Sequence, residues 1–337
     1  MANLLLTRRC VRSCPYCFAS EQMNMNDLSA EVSWEDLIYV TDFFESSGEK
    51  RLSLLGGEPL LHKHFPDMVL YLLKRGFHVT VFTSGAIPQE LTDTIKSFLP
   101  VDLLMPLDFV CNLNEPSCSP KKENERVEYF LKQFGPKCGP GFNIYRPDFD
   151  LLFLFDLINR FGLKRHLRLG LAAPIPGAVN QCLSVSSIRP AMQRLLSFAA
   201  DFARNRLQME LDCGFTLCSF TDEELGTLFR IATPLHFGCG PAVDIGPDMM
   251  VWSCFPLSRL APRSLYEFAS LGELLDHFRA RLGDLRAESG GIHYECDECQ
   301  HREIGRCQGG CAAHILAAMK DEPSIRLPEI NTCLQNL

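Results

Sequence analysis

Between residue 3 and about residue 205, short apolar runs alternate with helical stretches, and this alternation constrains the fold of the 337-residue chain more than any other feature. "NLLLT" (3–7), "RLSLLGG" (51–57), "FHVTVFTSG" (77–85), "VDLLMPLDFV" (101–110), "GFNIY" (141–145) and "HLRLGLAAP" (166–174) read as strands. The stretches that follow them read as helices: "VSWEDLIYVTDFFESSG", "FPDMVLYLLKRG", "PQELTDTIKSFL", "ERVEYFLKQFG", "PDFDLLFLFDLINRFG" and "IRPAMQRLLSFAADFARNR", the last as one long helix. Trp34, Leu37, Ile38 and Thr41 recur at helical spacing, and Ser33 stands where an N-cap belongs. Gly76 follows the second helix and Pro88 opens the third. Strand–helix units with short connections predict a parallel sheet covered by helices. Six units rather than eight predict an α/β fold of the partial (β/α)6 TIM-like barrel type, with its site at the C-terminal ends of the strands.

The pattern changes after about residue 206. "LQMELDCG" reads as one more strand; beyond residue 235 come Cys, Gly, Pro and short apolar runs with few helical stretches. The expected organisation is a barrel over 1–205, a bridging region over 206–235 and a cysteine-rich domain over 236–337. No internal repeat of solenoid period is present.

The net charge of −8 argues against a nucleic-acid partner, because phosphate binding needs concentrated Lys and Arg. No apolar run is long enough to span a membrane, and "MANLLLTRRC" lacks the form of a signal peptide. The expected location is the cytoplasm. There the 16 cysteines point to metal or redox chemistry rather than to disulfides. Three lie in "CVRSCPYCF" and seven after residue 235; the remaining six are scattered and read as small buried hydrophobes.

Cys10, Cys14 and Cys17 directly follow the first strand. Three thiolates on one loop suit a [4Fe–4S] cluster that leaves one iron open, since such clusters normally take four. A three-cysteine zinc site completed by His or water, or buried cysteines at chance spacing, would also account for the triad alone. "GGEP" (Gly56, Gly57, Glu58, Pro59) ends the second strand, and "TSG" (Thr83, Ser84, Gly85) ends the third. Glycines allow close backbone approach, and a carboxylate or carbonyl accepts hydrogen bonds from an ammonium group.

C-x3-C-x2-C followed by an aromatic, then "GGEP", then "TSG", all at strand ends, resembles the radical S-adenosylmethionine (SAM) superfamily over roughly residues 1–205. The resemblance implies that Cys10, Cys14 and Cys17 hold a [4Fe–4S] cluster whose open iron binds the methionine moiety of SAM. Reduction would release a 5′-deoxyadenosyl radical that takes hydrogen from a substrate. Gly56, Gly57, Glu58, Pro59, Thr83 and Ser84 would line the cofactor; the family often has Asn where Ser84 stands, so the contact there loses an amide.

The C-terminal cysteines resemble the SPASM extension of that superfamily, which carries two auxiliary [4Fe–4S] clusters. By that resemblance Cys239, Cys254 and Cys311 hold the first, and Cys296, Cys299, Cys307 and Cys333 hold the second. The chain departs from the pattern in three places. Cys299 and Cys307 are further apart, Met249 stands where a glycine is usual, and the cysteine that ordinarily precedes Cys239 is missing. The first cluster is then left with an open iron, or takes Cys213, Cys218 or His236; a structural role for Cys213 stands beside that reading. Taken alone, the spacing would also suit a pair of zinc sites. His293, His301 and His314 read as surface or supporting groups.

SPASM extensions accompany peptide and protein modification in the family: cross-linking, epimerisation or side-chain oxidation. The implied partners are a peptide substrate and an external reductant of flavodoxin or ferredoxin type; since the position of Cys10 leaves no room for a leader-binding module before it, any leader is expected to be recognised by a separate leader-binding protein or by the barrel itself. Competing readings are radical chemistry on a cofactor precursor such as a tetrapyrrole, an iron–sulfur electron carrier, and a zinc-stabilised interaction protein; "GGEP" argues against the last two. Asp108, Asn112, Asn143, Tyr145, Arg146 and Arg168 are candidate substrate-facing groups, each equally readable as structural. Cys111 reads as buried and inert.

Overall fold

The computed structural model describes residues 2–23, 31–99, 106–175, 179–240 and 242–321. Cys333 lies outside them, as does the 101–105 part of the run expected to form the fourth strand. Seven parallel strands pair in sequence order: β1 (Asn3–Thr7), β2 (Arg51–Gly56), β3 (His78–Thr83), β4 (Leu107–Asn112), β5 (Cys138–Ile144), β6 (His166–Leu171) and β7 (Gln208–Leu211). Three short strands extend the same sheet beyond β1: β8 (Asp244–Ile245), β9 (Met250–Trp252) and β10 (Arg263–Ser264). β8 runs parallel to β1, with Asn3 opposite Asp244, and β9 and β10 return antiparallel. This is the partial-barrel arrangement that the alternation predicts, and it carries the loops after β1–β7 to one end of the molecule.

The helices form for legible reasons. Ser33 caps Trp34–Ser46, its Oγ accepting from Asp36 N at 3.0 Å. That helix buries Leu37, Val40, Thr41 and Phe44, a stripe that leaves Trp34 at its exposed edge. β3 and β4 alternate buried and half-buried residues, as strands with two different faces should. Between β4 and the helix Lys121–Phe134, the rings of Phe109, Phe130 and Phe134 pack at centroid distances of 4.8–5.5 Å. Each is buried, contributing roughly 1.5–3 kcal/mol.

Two elements differ from the sequence reading. The expected long helix over "IRPAMQRLLSFAADFARNR" is two, Val185–Ser197 and Ala199–Arg204. The chain turns at Phe198, which is buried against Phe149. The longest helix described, Leu271–Ser289, lies where few helical stretches were expected. Ser270 caps it, and Leu271, Leu274, Phe278, Leu282 and Leu285 form its buried stripe. Its many Arg and Asp residues conceal that stripe in a reading by apolar runs. Within 206–235 the chain forms β7 and the helix Asp222–Ile231, whose Thr221 and Glu224 complete a capping box. Among the described residues no helix is long and apolar enough to cross a membrane.

Candidate active site

β1 ends at Thr7, and the chain turns at once: Arg9 N donates to Thr7 Oγ1 at 3.1 Å. The loop closes through Cys17 N to Cys14 O at 3.1 Å. Burial pushes the Cys10 thiol up to about 11; Glu58, Cys14 and Cys17 add to the rise, and a hydrogen bond from Arg12 N opposes it. Burial also raises Cys17, with Cys14 adding. The three thiols therefore lie in one another's field, together with Glu58. Such a set suits a cationic cluster, because a bound metal replaces the thiol proton outright.

The "GGEP" turn is seated directly on this loop. A Cβ on Gly57 would stand 2.2 Å from Arg9 O and 2.9 Å from Cys10 Cβ; one on Gly56, at φ +150°, would stand 2.3 Å from Thr7 O. The glycines thus allow Gly57 N to reach Thr7 O at 2.9 Å and Glu58 N to reach Arg9 O at 2.7 Å. Pro59 begins the short 3-10 turn Pro59–Leu61.

Glu58 has no exposed surface. Its carboxylate accepts from Thr83 Oγ1 (2.6 Å), Ser84 N (2.9 Å) and Ser84 Oγ (2.6 Å). Burial raises its pKa, and these three donors oppose the rise. The Glu58 side chain therefore ties the end of β2 to the end of β3. Gly85, at φ +68°, turns the chain after Ser84 against the Phe130 ring.

The loops after β4, β5 and β6 close on the same place. Arg12 Nη1 donates to Asn112 O at 3.0 Å, and Asn114 Nδ2 lies 3.8 Å from Cys14 Sγ. Tyr16 donates to Asn114 Oδ1 and stacks on Tyr145, with centroids 4.9 Å apart. Asn180 Nδ2 donates to Tyr16 O at 3.3 Å, and Gln181 N to Pro15 O at 2.8 Å. Asn112 Oδ1 and Glu115 Oε1 are buried here without a hydrogen-bond partner among the described residues. Unpaired buried acceptors cost free energy, and Asn112 Oδ1 packs against Gly141 of β5, where a Cβ would stand 2.8 Å from it. Tyr16, Asn114 and Asn180 were missed from sequence, because Asn and Tyr in loops carry no spacing signal.

The other candidates divide by position. Asn143 and Tyr145 lie at the site end. Arg146 also lies there, and its Nη2 donates to Glu115 Oε2 at 2.7 Å. Asp108 sits at the opposite, N-terminal end of β4; burial raises its pKa, but Lys164 Nζ at 2.5 Å and His78 at 3.3 Å hold it below the usual range. It is a structural ion pair, away from the triad. Arg168 pairs with Asp212 and lies over the Phe82 ring at 5.1 Å. Cys111 is fully buried, with Cys138 close enough for its thiol to raise that of Cys138.

The C-terminal cysteines fall into two groups. Cys239 and Cys311 are buried in one cluster with Leu257, Leu282 and Leu285, with Cys254 packed against it. A hydrogen bond with Cys311, reinforced by Arg286, pulls the Cys239 thiol down to about 5. In the second group Cys218, Cys299 and Cys307 lie close enough to raise the Cys296 thiol, after burial itself. Two glycines make this packing possible: a Cβ on Gly291 would stand 2.4 Å from Cys296 Cβ, and one on Gly309 3.0 Å from Gly291 Cα. His314 is buried, with Nε2 3.2 Å from Leu183 O, while His236 and His301 are exposed. Among the described residues no three His, Cys, Asp or Glu side chains converge on a point where a single metal ion would sit.

Residues 4–134 match the family model described as the Radical SAM superfamily. The chain is 28% identical over 85 residues to PqqA peptide cyclase of Granulibacter bethesdensis, covering 25% of this chain and 22% of that protein. It is 26% identical over 198 residues to Fe-coproporphyrin III synthase of Methanosarcina barkeri, covering 57% and 49%. The chain thus spans no more than about half the length of these curated relatives. Its fold is similar to that of Streptococcus suis SuiB bound to precursor peptide SuiA, with a TM-score of 0.63 at 14% identity over 96% of this chain and 73% of that one.

Proposed function

We propose, from the match of residues 4–134 to the Radical SAM superfamily model, that the chain is a radical SAM enzyme that modifies a peptide or protein side chain. Radical SAM domains work with a [4Fe–4S] cluster and S-adenosylmethionine, which together supply a hydrogen-abstracting 5′-deoxyadenosyl radical. In this proposal Cys10, Cys14 and Cys17 ligate the cluster. Gly56, Gly57, Glu58, Pro59, Thr83 and Ser84 shape the cofactor's seat, with Glu58 positioning Thr83 and Ser84. Asn112 Oδ1 and Glu115 Oε1 are ready acceptors for its hydroxyl or ammonium groups.

The observation that carries this reading is the seating of Gly57 on the Arg9–Cys10 backbone, with Glu58 fastened to Thr83 and Ser84. It joins three motifs that are far apart in sequence at one sheet end. Relatedness to a peptide cyclase and likeness in fold to a protein solved with its precursor peptide support a peptide substrate. The longer match to Fe-coproporphyrin III synthase supports the second reading, a tetrapyrrole-like precursor. The auxiliary clusters would sit at the two C-terminal cysteine groups, the second including Cys333. A flavodoxin or ferredoxin would supply electrons, a separate leader-binding protein would present the peptide, and the setting would be cytoplasmic.

Anaerobically reconstituted protein with a strong reductant and SAM is expected to form 5′-deoxyadenosine, and Cys14→Ala is expected to form none. Undiminished product from Cys14→Ala would refute the triad's role. Faster formation with a candidate peptide, but not with a tetrapyrrole, would decide the substrate class.

A further inference from the structure

The segment "DCGFTLC" (212–218) follows β7 and holds two cysteines that the triad does not use. We propose that Cys213 joins Cys239, Cys254 and Cys311 as the fourth protein thiolate of the first auxiliary iron–sulfur site, which is therefore closed by protein. The proposal rests on the reading of the chain as a radical enzyme with auxiliary clusters.

Asp212 N donates to Leu169 O at 2.8 Å, continuing the β6–β7 ladder to the residue before Cys213. Gly214, at φ +100°, then turns the chain inward; a Cβ placed on it would lie 3.7 Å from Cys311 Cβ and 3.6 Å from Leu171 Cβ. The residue beside Cys213 thus abuts Cys311, which shares a buried cluster with Cys239 and Cys254.

Of the other candidates, Cys218 lies with Cys296 in the second group. Asp212 is engaged by Arg168. Four thiolates around one site leave no iron for substrate, so its role is electron transfer. The fourth ligand also comes from the barrel, so the cluster fastens β7 to the cysteine-rich region.

The test uses the full chain with Cys10, Cys14 and Cys17 replaced by Ala, reconstituted anaerobically with iron and sulfide. About eight irons per chain are expected from two clusters. Cys213 in the loaded protein should resist iodoacetamide, read by peptide mass spectrometry, and react once chelator and oxidant strip the iron. Cys213→Ala in this background should lose about one iron and show a three-iron signal in its oxidised EPR spectrum, whereas Cys182→Ser should keep the parent spectrum. Equal alkylation of Cys213 in loaded and stripped protein, or parent iron and EPR in Cys213→Ala, would overturn the assignment while leaving the auxiliary clusters standing. A parent that binds no iron would overturn both.

Discussion

At the scale of single residues, the candidate site depends on what is missing from two side chains and on what one carboxylate holds. Gly57 has no room for a methyl group, because the obstructing atoms are the backbone of Arg9 and the Cβ of Cys10 rather than a movable side-chain tip. Gly57→Ala must therefore push the cysteine loop away. Expected is a folded protein with less iron on the triad, measured as iron per chain against a Cys10→Ala reference; full iron loading would contradict this. Glu58 is a second such point. It accepts from four donors, Thr83 Oγ1, Ser84 N, Ser84 Oγ and, at 3.5 Å, Leu60 N, and glutamine would present an amide N–H where donors already point. Glu58→Gln is expected to destabilise by about 1–3 kcal/mol, the cost of buried polar groups left unpaired. A thermal midpoint unchanged from that of the parent would show that Glu58 is not the tie between the two turns. The residue types of the motifs were legible in sequence, whereas the direction in which Glu58 points was not. Carboxylate contact with a ligand and carboxylate contact with a neighbouring turn look alike until the partner is in place.

At the scale of elements, order and type were legible because periodicity and caps act locally. Ser33 with Asp36, and Thr221 with Glu224, cap their helices within four residues of chain. The turn at Phe198 was not legible, since burial against Phe149 involves a residue 49 positions away (198 − 149). The long helix Leu271–Ser289 was underread because its buried positions are diluted by charge. One helix has a direct consequence for the site: Phe130, on Lys121–Phe134, fills the space beside Gly85 and contacts Phe109 and Phe134. Phe130→Ala is expected to cost about 3–5 kcal/mol through the cavity it leaves. A clear fall in thermal midpoint is the readout; a fall much smaller than the parallel Phe134→Ala change would show that the helix collapses onto the gap.

For the whole molecule, the cysteine-rich region is fastened to the barrel along β1. β8 pairs with β1, Asn3 Nδ2 donates to Asp244 Oδ1 at 2.6 Å, and Arg8 pairs with Asp248 at 2.7 Å. Burial pushes the Asp244 carboxyl up to about 7, only partly opposed by Asn3. A carboxyl raised on folding binds its proton more tightly in the folded state. The stability it contributes is thus full below about pH 4 and is lost as pH rises toward 7. The loss is at most about 4 kcal/mol, from about three units at 1.36 kcal/mol each. Asp244→Asn is expected to flatten the fall in thermal midpoint between pH 5 and 8; an unchanged slope would assign that fall to other groups.

The amino-acid order by itself determined the parallel β–α succession, the triad on its first loop and the presence of two glycine-rich or hydroxyl-rich turns at later strand ends. Each follows from propensity, capping or ligand chemistry within a short window of chain. Only the tertiary structure decided that Gly57 lies against Cys10, that Asp108 belongs to the far end of its strand, and that Gly214, beside Cys213, lies against Cys311. These are contacts between residues dozens to hundreds of positions apart, set by strand register and by which side chain can be buried against which.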